Sequence, residues 1–351
     1  MSAGAGITGA PPVLARGGDW PTRPLLRLLS PGGRRGLSIM IYHRVLAAPD
    51  PLFPGEIDRE AFAIQLGLLK SSFNVLALDE AVRLMRAGQL PPRAACITFD
   101  DGYADNAVEA LPILQRFGLT ATFFVATGFL DGGRMWNDTV IELVRNAPVA
   151  PGARFDARTA GLGLLPLDGP EARRAAIGTL IGHLKYLPME ERLAMVERLA
   201  GEAHYGLARD LMMSSAQVRQ LHAAGMGIGA HTVNHPILAA IPARQAGDEI
   251  AAGKQRLETL IGAPVPLFAY PNGKPNVDYR AEHVGIVREL GFEGAVSTAW
   301  GGRTGDLYQL PRFTPWDLGA PRFQLRLAMN LARRANTAAA SDYPSAESSR
   351  A

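Results

Sequence analysis

From residue 37 onward, short apolar runs that end in polar residues alternate with segments of helical period, and this alternation constrains the fold more than any other feature. Candidate strands lie at 37–43, 95–100, 120–126, 226–231, 265–270 and 292–298. Between them, apolar residues recur at three and four over 60–71, 79–87, 104–117, 215–224, 245–262 and 280–290, the period of amphipathic helices. Strand followed by helix, repeated, predicts parallel βα units. Residues 131 to about 213 break the rhythm with helical stretches at 136–146, 171–187 and 190–205 and no clear strand, and read as a helical insertion.

The ends differ from the body. Residues 1–36 are rich in Gly, Pro, Ala and Arg without a sustained period and read as a poorly ordered basic N-terminal arm. Residues 322–351 read as a basic helix running into a disordered Ser/Ala tail. The net charge of +3 comes from these ends: five Arg against one Asp in 1–36, and five Arg against one Asp and one Glu in 321–351. The body between them is net negative, so no nucleic-acid partner is expected. The basic ends, including Leu25, Leu26, Leu28 and Leu29 beside Arg23 and Arg27, are expected to offer at most a peripheral contact with an anionic membrane. No apolar run approaches the ~18 residues of a spanning helix. No apolar segment of signal-peptide type follows a basic start, so a cytoplasmic protein, peripheral to the inner membrane face, is expected. The single cysteine, Cys96, excludes an internal disulfide and any thiolate zinc site, and reads as a small buried hydrophobe.

Polar residues sit at the ends of the candidate strands. His43, Asp100 with Asp101, His231 and Tyr270 each fall at the C-terminal end of a different one. In a closed or nearly closed parallel barrel those ends converge on one face, where such folds place their active sites. Asp100 and Asp101 precede Gly102, so a sharp turn holds two carboxylates above the core, one able to ligate a cation and the other to face a water as base. Helix capping by one of them is the alternative. His231 and His235 lie four apart in HTVNHP, where one turn of helix would put both imidazoles on the same side. Two His and one Asp leave coordination positions open, the mark of a catalytic metal site.

ITFDDGYADN, HTVNHPIL and FAYPNG resemble the first three motifs of the polysaccharide deacetylases, the NodB-homology carbohydrate esterases. FAYP and MIYHRV are similar to the branch that includes the biofilm poly-N-acetylglucosamine deacetylases. The resemblance runs from about 38 to 315 and assigns residues 37–321 to the deacetylase unit. It implies a distorted (β/α) barrel of about seven parallel strands, a divalent metal on Asp101, His231 and His235, and Asp100 as catalytic base. Zinc is expected, with cobalt, nickel or manganese suited to the same ligands. The substrates implied are N- or O-acetylated glycans.

The chain departs from the family in two places. Ala269 and Asn272 stand where the third motif has an Arg that orients the base and an aromatic residue that helps form the oxyanion hole. Arg312, in YQLPRF, is the candidate replacement for the missing Arg, and the turn of Tyr270, Pro271 and Asn272 for the oxyanion donors. The late His that acts as general acid is missing: His283 lies in a helical stretch and reads as structural, which leaves His43 as proton donor, substrate contact or an imidazole satisfied by its neighbours beside the metal. Trp300 and Trp136 are candidates for stacking on sugar rings, with packing as their default, and Asn137 with Asp138 for capping a helix. GGRTGD at 301–306 reads as a plain turn. The expected function is deacetylation of N-acetylhexosamine in an exopolysaccharide, oligosaccharide or precursor. The alternatives are an O-acetyl esterase, a deacetylase of a non-carbohydrate amide, and a catalytically silent glycan-binding barrel.

Overall fold

The computed structural model describes residues 22–203, 205–301, 305–315, 320–333, 335 and 337. After helix α1 (Thr22–Leu29) the chain runs β1 (Ser38–Tyr42), α2 (Arg59–Ser72), β2 (Asn74–Val75), α3 (Leu78–Ala87), β3 (Ala94–Phe99), α4 (Leu111–Phe117) and β4 (Thr122–Val125). A π-helical turn, Asn106–Ala110, leads into α4. Next come α5 (Trp136–Arg145), β5 (Arg154–Asp156), β6 (Leu164–Pro166), α6 (Gly169–Leu184) and α7 (Met189–Glu202). The alternation then resumes with α8 (Ser215–Ala223), β7 (Gly227–Ala230), α9 (Ala243–Ile261), β8 (Leu267–Ala269), α10 (Ala281–Glu289), β9 (Gly294–Val296) and α11 (Ala320–Ala332).

The strands form one parallel sheet in the order β1-β3-β4-β7-β8-β9, with β2 paired to the start of β3. The register sets Tyr42 beside Phe99, Phe99 beside Phe123, Phe123 beside Ile228, and Phe268 beside Ala295. Residues 310–313 close the sheet. Leu310 bridges in parallel to Val296 of β9 and Phe313 to Met40 of β1, so the last extended segment joins the two edges. The fold is therefore a distorted parallel (β/α) barrel.

Side chains alternate along each strand. One set, with Tyr42, Phe99, Phe123 and Phe268, packs outward under α2, α4, α8, α9 and α10. Tyr42 and Phe123 stack on either side of Phe99 at centroid distances of 5.3 and 4.8 Å, each pair worth about 0.5–1.5 kcal/mol beyond its area. The other set, with Ile39, Cys96, Phe124, Leu267, Ala269 and Val296, fills the interior and meets Leu78, Ala81, Val82 and Met85 of α3. Gly229 makes this interior possible, because a Cβ there would lie 2.3 Å from the Phe124 ring.

The segment between β4 and β7 has its own apolar cluster, built on Leu143, Val144, Phe155, Ile177, Leu180 and Val196. It contains one antiparallel hairpin, β5 with β6, in a region where no clear strand was expected; three residues per strand are too few to establish a period. Residues 22–36 also depart from the expected arm. Leu26 of α1 is 1% exposed and joins the main core with Phe323, Leu327 and Leu331 of α11, and Gly33 exchanges two backbone hydrogen bonds with Leu90. A single turn's worth of leucines is enough once a partner helix covers it. The rest of the arm, 1–21, and the tail beyond 337 lie outside the described residues. Among the described residues no helix is long and apolar enough to cross a membrane.

Candidate active site

Parallel strands bring His43, Asp100, His231 and Tyr270 to one end of the barrel. Asp100 continues the interior-facing series Ala94, Cys96 and Thr98. The chain then reverses through Asp101 at φ 74° and Gly102 at φ 91°, a left-handed pair closed by a 2.9 Å bond from the Gly102 amide to the Asp100 carbonyl. The reversal sends the two carboxylates apart.

Asp100 faces the interior and meets Arg312 on the closing segment. Nη1 donates to Oδ1 and Nη2 to Oδ2, each at 2.6 Å. Arg312 is held by Nε donating to the Ser297 carbonyl at 3.0 Å and by Nη1 reaching the Thr98 hydroxyl at 3.3 Å. Burial raises the Asp100 carboxyl, but the Arg312 charge outweighs it and keeps the group below its ordinary pKa. A buried, ionised carboxylate in a fixed orientation results.

Asp101 faces the other way. Its Oδ1 lies 3.4 Å from Nε2 of His231 and 3.5 Å from Nε2 of His235. One ligand atom from each of the three residues falls within 4.8 Å of the others. Burial raises the Asp101 pKa, yet the two imidazoles hold it well below the carboxylate range. Nδ1 of His231 is 2.7 Å from the Ala269 carbonyl, which can only accept, so Nδ1 carries a proton and Nε2 is the nitrogen turned toward Asp101. Burial pulls His235 down to about 4, leaving it in the neutral, ligating form. Two imidazole nitrogens and a carboxylate fit a small divalent cation such as zinc.

The histidine pair sits on a turn rather than the helical turn expected. Thr232 and His235 are left-handed, at φ 65° and 52°, a strained state for a β-branched residue. The His235 amide donates to the Thr232 hydroxyl at 3.0 Å. Glu249 of α9 accepts from the amides of Val233 (3.0 Å) and Asn234 (2.8 Å) and from the Asn234 side chain (2.7 Å), pinning the turn. Nothing near Glu249 in the sequence marks this role, because its partners lie across the fold.

The oxyanion and stacking candidates separate. Tyr270 is fully buried, stacked on Tyr279 at 3.9 Å with its hydroxyl donating to the Tyr308 carbonyl, and does not contact the cavity. Pro271 is buried off the cavity wall and has no N–H. The amides of Tyr270 and Gly273 donate to Val296 and Pro271. Asn272, left-handed at φ 57° and on the cavity wall, is left as the turn's amide without a partner among the described residues. Trp300 lies off the cavity, 48% exposed and tilted against Phe313 at 6.4 Å; its position after β9 carries it past the rim. Trp136 lines the cavity instead, as does exposed His43. His283 is buried and accepts from the Arg280 amide at 2.9 Å, a helix-capping role.

The cavity has a volume of about 380 Å³ and is walled on one side by the barrel loops and on the other by α5, α6 and α7. Asp138 in α5 is not the cap expected: Met135 occupies the N-cap without a side-chain bond. Asp138 is buried beside the barrel and accepts from the Tyr103 hydroxyl at 3.1 and 3.2 Å. Burial, then the charge of Asp101, pushes it up to about 7.

A family model described as Polysaccharide deacetylase matches residues 87–150 and 175–295, more than half of the chain. The Bacillus subtilis (strain 168) protein YxkH, which carries the polysaccharide deacetylase name, is 21% identical over 279 residues, covering 79% of this chain and 70% of that protein. The Streptococcus pyogenes deacetylase PplD, solved in complex with acetate, superposes with a TM-score of 0.56 at 19% identity, covering 83% of this chain and 97% of its own. IcaB from Ammonifex degensii superposes with a TM-score of 0.53 at 21% identity, covering 85% and 98%. At these identities the two structures bear on the fold alone.

Proposed function

This chain belongs to the polysaccharide deacetylase family, and from that premise we propose that it is a metal-dependent hydrolase of the acetamide on N-acetylhexosamine units of an exopolysaccharide, oligosaccharide or precursor. The observation that carries the reading is the division of labour between adjacent residues. Asp100 is locked by Arg312, while Asp101 turns to His231 and His235. A divalent cation held by Asp101, His231 and His235 would supply Lewis acidity toward the acetyl carbonyl and acidify a water. Asp100 takes a proton from the attacking water, and Arg312 fixes the orientation in which it does so. The Asn272 amide donates to the oxygen on which negative charge develops. His43, exposed on the same wall, returns a proton to the leaving amine. The FAYP and MIYHRV runs favour a poly-N-acetylglucosamine type of substrate, and acetate, the product required, accompanies PplD in its structure.

The test is acetate release from N-acetylglucosamine oligomers and O-acetylated sugars, after chelation and restoration of zinc, cobalt, nickel or manganese. Metal-dependent release from the amides, falling about 10²–10⁴-fold in Asp100→Asn, is expected. Preference for the esters would make the protein an O-acetyl esterase. Stoichiometric metal binding with no acetate from any donor would make it a silent binding barrel.

We also propose peripheral contact with an anionic membrane. The packed helices α1 and α11 expose Leu25, Leu28, Leu325 and Met329 together with Arg27, Arg322 and Arg326. Apolar side chains flanked by arginines suit a bilayer of acidic lipid.

A further inference from the structure

Most charges on the cavity wall are neutralised within it. Arg145 donates to Asp50 at 2.7 Å and to Glu142 at 3.0 Å, and Arg44 donates to Asp105 at 2.7 Å. Asp138 is taken by the Tyr103 hydroxyl. Two cations in the helical wall are different. Arg192 of α7 is 7% exposed, and its guanidinium lies 4.9 Å over the Trp136 ring. Among the described residues its single hydrogen bond runs from Nη1 to the Lys185 carbonyl at 3.2 Å, and its Nε is buried without a partner. Lys185, at the end of α6, is partly buried on the same wall, and among the described residues its ammonium has no carboxylate within reach. Glu56, the remaining acid of this wall, is exposed and pairs with neither.

Arg173 shows what a purely structural arginine of this segment looks like. It is buried as deeply, and its two terminal nitrogens donate to the carbonyls of Val144, Arg145, Ala147 and Pro148 at the end of α5. Arg192 has one such bond and a vacant Nε. A guanidinium withdrawn from water without a counter-charge is unfavourable, and its planar donors match phosphate and carboxylate oxygens.

We propose that Arg192 and Lys185, beside Trp136, form an anion subsite that receives a phosphate or carboxylate group carried by the ligand whose acetamide reaches Asp101, His231 and His235. The acetamide half rests on the deacetylase reading; the binding of an anion at this wall does not. The substrate class becomes an acetylated glycan bearing a negative charge, either a glycosyl phosphate or a sugar adjoining a uronate.

Calorimetric titration of the zinc-loaded Asp100→Asn protein, in which turnover is suppressed, compares three ligands. They are methyl N-acetylglucosaminide, N-acetylglucosamine 1-phosphate and a disaccharide of N-acetylglucosamine with glucuronate. One anionic ligand is expected to bind about tenfold or more tightly than the neutral one, the effect of one charge-assisted contact. Whichever it is distinguishes phosphate from carboxylate. Lys185→Gln, added to the same protein, is expected to abolish the preference and leave the neutral ligand's affinity unchanged, because it keeps the carbonyl that Arg192 uses. Arg192→Gln should act likewise. Equal affinity for all three ligands overturns the subsite, as does a preference that Lys185→Gln leaves intact, which would place the anion on the zinc. Acetate released by the wild-type protein without anion preference removes the subsite and keeps the enzyme. Anion preference without acetate from any of the three ligands keeps the subsite and removes the deacetylase reading.

Discussion

Replacing Arg312 with methionine strips the interior carboxylate of its counter-charge without emptying the site. The side chains of the pair are 0% and 4% exposed, joined by two contacts of 2.6 Å. Removing one partner of such a pair costs about 3–5 kcal/mol, because the other charge stays buried and unpaired. Protonation of Asp100 limits the loss but does not remove it, since the carboxyl stays buried and only the weaker influence of His231 and His43 then opposes the burial that raises its pKa. Against a net stability of about 5–15 kcal/mol, the change is large. Asp100→Leu is expected to be as damaging for the mirror-image reason, a buried guanidinium left with Ser297 and Thr98 alone. The double variant carries no stranded charge, so it should lose less than the sum by more than about 2 kcal/mol. Urea unfolding of the four chelator-treated proteins at pH 7, followed by circular dichroism, reads this coupling. Single losses under about 1 kcal/mol, or an additive double variant, would refute the claim that the pair locks the barrel interior.

Glu249→Ala frees the 232–235 turn and should weaken zinc binding about 10–100-fold in competition with a chromophoric chelator; unchanged affinity would show that the turn holds its shape unaided. Asp138, pushed up to about 7, binds its proton more tightly folded than unfolded, so metal-free stability should fall as pH rises from about 4 to about 7, by roughly 2–4 kcal/mol. Asp138→Asn should flatten that limb of the urea midpoint against pH, and an unaltered slope would place the titration elsewhere. Vesicles containing phosphatidylglycerol should sediment the protein and lose it on Leu28→Glu with Leu325→Glu, while equal sedimentation with neutral vesicles would contradict the electrostatic part.

The six long-spaced strands and their helices were legible because each is a local pattern of period two or 3.6. The clustering of Asp101, His231 and His235 was legible because a parallel sheet turns strand ends into neighbours. Tyr270 misled for the same reason: it ends a strand, but its phase points the ring at Tyr279 rather than the cavity. Trp300 misled because an aromatic near a rim looks the same in sequence whether or not the chain curls inward. Glu249, Asp138 and Arg192 were missed as contributors to the site because each acts across the fold, on partners between 15 and 56 residues away. The left-handed residues Asp101, Thr232, His235 and Asn272 carry no glycine to announce them.

Arg312 lies on the segment that joins the two edges of the sheet. A ribosome delivers it last: at about 5–20 residues per second, Asp101, His231 and His235 are all made on the order of ten seconds before it. In a nascent chain the three residues of the candidate metal site are thus present before Arg312 can orient Asp100, so the proposed hydrolysis waits on the closing segment.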